Sequence, residues 1–178
     1  MIDEDFSPVV RAKAFAEMVH RGALYGKGKD YFRAHLVENH SIALWAGMDD
    51  LDSEIIAYLH DTIEDIDPSL RQMAYDFVKL NYRGHVFDTV WAMTGIGPNR
   101  KTRNANYYGK IEAYPAAANH KVIDRIANIE NAIVKAEDGD DGHLRMYMKE
   151  DPEFYERVVK LATNDKLRGR YERATGRA

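Results

Sequence analysis

The sequence predicts an all-α fold, a single compact multi-helix bundle, and three observations predict it. Apolar residues recur at three- and four-residue spacing along most of the chain. No sustained apolar/polar alternation is bounded by Asn-Gly or Asp-Gly turns, so strand signals are nearly absent. With 178 residues, 45% of them hydrophobic and 30% charged, the chain has the size of one domain able to bury a core without cross-links. It contains no internal repeat and no convincing linker, which predicts one domain over residues 1–178.

Each helix follows from its own signals. Ser7-Pro8 reads as an N-cap with proline in the first turn, and Val9, Lys13, Ala16 and His20 then share a face until the chain breaks near Gly22. Gly26, Gly28 and the lysines around them predict a loop, in which Lys27 and Lys29 serve solvation first, with neutralising the far end of an anion as the alternative. A second helix covers Leu36 to Ala46 and stops at Gly47. Asp52 or Ser53 opens a third, whose Ile55, Ile56, Leu59 and Ile63 form a buried stripe. Asp67-Pro68-Ser69 restarts the chain as a fourth, to about Leu80, and a short fifth runs from Val86 to Met93 before the Thr94-Gly-Ile-Gly-Pro-Asn break. Further helices are expected at Arg103 to Ile111, at Ala117 to Ala136, around Pro152 to Ala162, and at the C-terminus. The run from Glu137 to Gly142 reads as a polar loop.

Composition excludes several classes of function. There are no cysteines, so a disulfide framework and a thiolate metal site are both ruled out, and any metal must be held by His, Asp or Glu. No run of about 18 apolar residues is present, which argues against a membrane span. The start Met-Ile-Asp-Glu-Asp is acidic where a signal peptide is basic, so a cytoplasmic protein is expected. A formal charge of −4 and a pI of 6.0 give no overall field for nucleic acid. The oligomeric state stays open.

Chemistry concentrates in two segments. His60-Asp61-Thr62-Ile63-Glu64-Asp65 places four ionisable side chains in six residues directly after an apolar helix. Burying so many charges is costly unless a cation or ligand compensates, whereas a solvated helix end with capping acids needs neither. If the helix continues, His60 and Glu64, and Asp61 and Asp65, fall one turn apart. Farther along, Lys121, Asp124, Arg125 and Asn128 recur at three- and four-residue spacing on an otherwise apolar helix. Asn128 and Asn131 cost helix propensity without capping, so their amides are expected to contact something. Upstream lie His20 and His35, either of which alone would be read as structural.

The order His35, then His60-Asp61, then Asp124 resembles the HD superfamily of metal-dependent phosphohydrolases. Within it, the chain looks most like the hydrolase domain of the RelA/SpoT enzymes and their stand-alone small relatives, the guanosine tetraphosphate 3'-pyrophosphohydrolases. The likeness is carried by Ala14-Phe15-Ala16 to His20, Tyr31-Phe32-Arg33-Ala34-His35, Leu59 through Asp65, Met93-Thr94-Gly95, and Lys121 through Asn128. It gives a family-like core over about residues 11–136, with a helical C-terminal extension and no synthetase domain. The resemblance implies one metal held by His35, His60, Asp61 and Asp124, with His40 as the alternative to His35 because the spacing from Tyr31 is one residue longer than usual. Two imidazoles and two carboxylates suit Mn, Fe, Co or Zn, and the resemblance favours Mn²⁺. It also makes Glu64 and Asp65 the pair that orients or deprotonates the attacking water.

An anionic substrate needs cations, and Arg100, Lys101 and Arg103 after the glycine-rich loop, with Lys121 on the ligand helix, are the candidates, a solvated loop being the equal alternative for Arg100 to Arg103. Asn128 matches a family position that contacts nucleotide. Arg125 reads as structural, paired with an acid behind the ligands, and Tyr107 and Tyr108 as core residues that could also line a pocket. The expected activity is removal of the 3'-pyrophosphate from guanosine tetra- or pentaphosphate. The family's Gln and Arg after the first histidine are missing from His20-Arg21-Gly22-Ala23-Leu24-Tyr25. That motivates a second reading, hydrolysis of another nucleotide such as a deoxynucleoside monophosphate or NADPH. A nucleotide-binding regulatory protein without turnover is the non-enzymatic alternative.

Overall fold

A computed structural model describes residues 7–177, so the acidic start at Met1–Asp5 lies outside the described residues. Nine α-helices make up the described fold: α1 (Pro8–Val19), α2 (Val37–Ala46), α3 (Leu51–Leu59), α4 (Arg71–Asn81), α5 (His85–Met93), α6 (Arg100–Ala113), α7 (Ala118–Glu137), α8 (Gly142–Arg157) and α9 (Asp165–Thr175). The all-α expectation therefore holds. One small addition is a two-stranded antiparallel hairpin, β1 (Leu24–Tyr25) with β2 (Lys29–Asp30), where a loop was expected. Its turn is closed by Gly26 and Gly28, both at positive φ.

The bundle is organised around α7, whose residues Ala118 to Ala127 are buried apart from half-exposed Asn119. It packs against α2, α3, α5, α8 and α9, while α1 and α5 close on α3 from the other sides. The main core runs through Phe15, Ile56, Leu59, Val90, Ile111, Ile126, Ile129 and Phe154. A smaller cluster of Ala16, Tyr31, Phe32, Leu36 and Tyr58 pins the hairpin end to α1 and α3. No helix of the described chain is long and apolar enough to cross a membrane.

Four element boundaries differ from the sequence expectation, and each bears on the site. The second helix begins earlier, with a π-helical turn over Phe32–Leu36 that leads into α2 and carries His35. A π turn widens the helix and re-aims side chains, a device found often at functional sites. The third helix is capped by Asp50, whose carboxylate accepts the Ser53 N–H at 3.0 Å, and it stops at Leu59. His60 N–H still bonds the Ile56 carbonyl at 2.9 Å as the cap of α3, and Asp61 to Asp65 then form tight turns in which Asp65 N–H to Asp61 C=O (3.0 Å) keeps helical spacing.

The sixth helix starts at Arg100, so Arg100, Lys101 and Arg103 lie in a helical first turn instead of a loop. A capping box makes this possible: the Asn99 side chain takes the Thr102 N–H at 3.0 Å, and Thr102 Oγ1 takes the Asn99 N–H. Finally, α8 starts at Gly142, ten residues before the expected Pro152, which sits inside it. Pro152 is exposed, so the Met148 carbonyl it leaves without a helical donor is on the side where water reaches. That earlier start brings Tyr147 and Glu150 to the site.

Candidate metal centre and its cavity

His35, on the π turn, and His60-Asp61, just past α3, are brought against Asp124 in the middle of α7. One donor atom from each of the four lies within 4.8 Å of the others, and all four residues are buried. His60 Nε2 is 3.2 Å from His35 Nε2 and 3.0 Å from Asp61 Oδ2. His35 Nε2 is 2.9 Å from Asp61 Oδ2 and 3.4 Å from Asp124 Oδ1. Two imidazole nitrogens pointing at one another is an arrangement that a shared cation satisfies better than a single proton. His60 Nδ1 lies 2.9 Å from the Ala57 carbonyl, which fixes its proton there and leaves Nε2 as a free lone pair facing the cluster. The donor set, two imidazoles with two carboxylates, fits a divalent first-row metal. His40 is turned away, stacked on Tyr58 and 3.8 Å from Glu54, and is not part of the group.

The ligands are braced from behind. Tyr31 donates its hydroxyl to Asp61 Oδ2 at 2.7 Å. Lys121, itself buried, donates to Asp124 Oδ2 at 2.9 Å, while Asn128 donates to Asp124 Oδ1 at 2.6 Å and to the Asp124 carbonyl at 2.9 Å. Asn128 Oδ1 in turn accepts the Tyr25 hydroxyl at 2.9 Å, tying the hairpin to α7. The polar groups of Lys121 and Asn128 thus hold Asp124, and Asn128 meets the expectation that its amide contacts something.

Electrostatics follow from this crowding. Burial alone would raise Asp124, but Lys121, the His35 hydrogen bond and His60 outweigh it and keep its carboxyl well below the usual range. Burial would likewise lower His35, yet its bonds to Asp124 and Asp61 raise it to about 9. Two buried carboxylates therefore hold a proton on His35 unless a metal replaces it. Next to them Asp65, exposed on its outer side, is pushed up to about 7 by restricted hydration and then by the charges of Asp61 and Glu64. Glu64 is raised too, mainly by burial. Its Oε2 accepts the Gly95 N–H at 2.5 Å and its Oε1 lies 3.5 Å from Arg103 Nε. At Gly95 a Cβ would come within 3.0 Å of both Arg103 and Glu64, so only glycine lets this loop reach the carboxylate.

The cluster floors a polar cavity of about 230 Å³, whose walls include Asp65, Lys121 and Arg100 among the expected residues, and Tyr25, Asn104 and Tyr147 that the sequence did not suggest. Arg100 makes a two-pronged contact with Glu150 (2.6 and 2.9 Å), and Arg125 donates to the same carboxylate at 3.0 Å and to the Tyr107 hydroxyl at 3.2 Å. The Tyr147 ring packs against both guanidiniums, at 5.3 and 5.0 Å. Two arginines share one acid here, so this edge of the cavity carries net positive charge. Arg125 is structural as expected, and Tyr107 is both core and wall. Tyr108 is core alone. Lys101 is exposed and outside the cavity, and Arg103 faces a neighbouring cleft across Glu64. Lys27 pairs with Asp138 at the surface. Of the residues missed, Tyr25 comes from the hairpin, Tyr147 from the early start of α8, and Asn104 from the first turns of α6.

No family model matches the chain, and no curated protein matches it in sequence. Among solved structures eight chains match in fold. One of these is described as a metazoan ortholog of SpoT that hydrolyzes ppGpp and plays a role in starvation responses. It superposes with a TM-score of 0.75 over 98% of this chain and 97% of that chain, at 19% sequence identity. At that identity the likeness is one of fold.

Proposed function

We propose that the chain is a metal-dependent phosphohydrolase acting on a nucleotide, and that its reaction is removal of the 3'-pyrophosphate from guanosine tetra- or pentaphosphate. The observation that carries this reading is the convergence of four buried donor atoms within 4.8 Å, from three separate segments of the chain, on the floor of a cavity edged by arginines. The fold shared with a protein reported to hydrolyse ppGpp supports the choice of substrate.

In this reading His35, His60, Asp61 and Asp124 hold one divalent ion, for which Mn²⁺ is the choice that the resemblance favours. A bound ion of this kind lowers the pKa of a coordinated water and polarises a phosphoryl oxygen. The chain's own groups do the rest. Asp65, with a carboxyl near neutrality, accepts the proton of the attacking water. Glu64, held at both oxygens by Gly95 and Arg103, orients that water. Lys121 and Asn128 keep Asp124 in place from positions that also line the cavity, where they meet the substrate. Arg100 receives phosphate oxygens at the cavity edge, where Glu150 and Tyr147 hold its guanidinium in line.

The same four ligands serve any phosphate ester, so product analysis decides the substrate. Protein loaded with Mn²⁺ should release pyrophosphate from guanosine tetraphosphate faster than it releases phosphate from deoxynucleoside monophosphates or NADPH. Preference for either of the latter would reassign the substrate. No turnover of any of them, with one metal bound per chain, would leave a binding protein.

A further inference from the structure

On the far side of Glu64 from the metal cluster lies a second concavity, larger than the first at about 360 Å³. Its character is different. Trp91 and Tyr75 meet edge to face at 5.2 Å between ring centroids and are both only partly buried, and Ile63 and exposed Ile96 complete an apolar wall. Lys110 fixes the indole in place, with its ammonium 4.0 Å from the ring centroid and hydrogen-bonded to the Trp91 carbonyl at 2.9 Å. At the rim stand Arg71, exposed and hydrogen-bonded to the Glu64 carbonyl at 3.1 Å, and Arg103, 3.5 Å from the Glu64 carboxylate. Glu64 is the one acid in the lining, so two guanidiniums face a single carboxylate.

Aromatic walls with two forked cations are what a planar ring bearing a phosphate requires: stacking for the ring, paired N–H donors for the oxygens. The volume lies within the roughly 300–1,000 Å³ usual for small-molecule sites. We propose that this cleft is a second ligand site, distinct from the metal cavity, for a small nucleotide-like anion: its base packs on Trp91 and Tyr75 and its phosphate on Arg71 and Arg103. A phosphate that drew Arg103 would remove the guanidinium partner of the Glu64 carboxylate, so occupancy of the cleft reaches the wall shared with the metal site. The site does not depend on the reaction proposed above, and its test needs no turnover.

The chain has two tryptophans, so Trp45→Phe leaves Trp91 as the sole indole reporter. Metal-free protein of this background is titrated with GMP, with guanosine and inorganic phosphate as separate arms. The expected result is a saturable change in Trp91 emission with GMP, weakened about tenfold or more for either fragment and in Arg71→Ala and Arg103→Ala, as loss of a charge-assisted contact implies. Arg100→Ala, in the metal cavity, should leave it unchanged. Arg71 is exposed, so its replacement is expected to leave the thermal melt in place and keeps the test sound should Arg103→Ala unfold. No saturable change, a change that survives Arg71→Ala, or one that Arg100→Ala removes would each overturn the proposal.

Discussion

Lys121→Met separates the cost of the buried charge cluster from the benefit of a metal. In the metal-free protein the carboxylates of Asp61 and Asp124 are balanced by Lys121, 2.9 Å from Asp124, and by the proton on His35, which their hydrogen bonds and charges raise to about 9. Removing Lys121 leaves one buried negative charge uncompensated. Breaking a buried pair by deleting one partner costs about 3 kcal/mol or more, which for a chain of this length is a fall in Tm of about 6–12 °C. With a divalent ion bound and His35 deprotonated, the same cluster carries one excess positive charge while Lys121 is present, and none without it. The substitution should therefore enlarge the rise in Tm produced by Mn²⁺. Thermal melts of parent and variant with chelator and with saturating Mn²⁺ measure both quantities. An equal fall in Tm under the two conditions would refute the charge balance, and so the placement of the metal among these four ligands.

Three further outcomes follow from the cavity and the core. Glu64→Gln and Asp65→Asn should each lower kcat by roughly two orders of magnitude or more with metal occupancy near one, and equal loss of metal and activity would make them supports of the ligands. Arg100→Ala should raise KM by about tenfold or more while exposed Lys101→Ala stays within about threefold, because only the first lines the cavity, and matching effects would contradict that assignment. His120, buried beside the core and held at about 3 by loss of hydration, stays neutral in the folded chain while the unfolded chain takes up a proton below about 6.5. Its contribution is thus complete above pH 6.5 and is lost as pH falls toward 3. Relative to His120→Gln, the parent should lose about 1.4 kcal/mol per pH unit in urea unfolding between pH 6 and 4, and a constant difference would rule this out.

Much of this site could be read from residues close together in the chain. His60-Asp61 with Glu64-Asp65, and Lys121, Asp124 and Asn128 at helical spacing, announce themselves because dense charge next to an apolar stripe needs a reason. His35 was harder. It rides on a π turn, whose spacing no α-periodic search recognises. The sixth helix was expected from Arg103, and the Asn99–Thr102 capping box starts it three residues earlier, although cations there oppose the helix dipole. Pro152 looked like a helix start and is an interior residue, tolerated because Tyr147 and Phe154 anchor α8 on either side of it. Its misplacement hid Tyr147, which lines the cavity, and Glu150, which holds the Arg100 and Arg125 guanidiniums there. Helix positions in the core, by contrast, follow from periodicity alone, since Ile55, Ile56 and Leu59 are buried as their spacing required.

The central claim is that one divalent ion held by His35, His60, Asp61 and Asp124 makes this chain a phosphohydrolase. Titration of chelator-stripped protein with Mn²⁺, following bound metal and pyrophosphate release from guanosine tetraphosphate together, tests it most directly. Activity should rise in step with bound metal and level off at one ion per chain, with His40→Ala behaving as the parent and Asp61→Ala, still helical by circular dichroism, showing neither metal nor activity. Stoichiometric metal in Asp61→Ala, or pyrophosphate release that does not follow the bound ion, would contradict it.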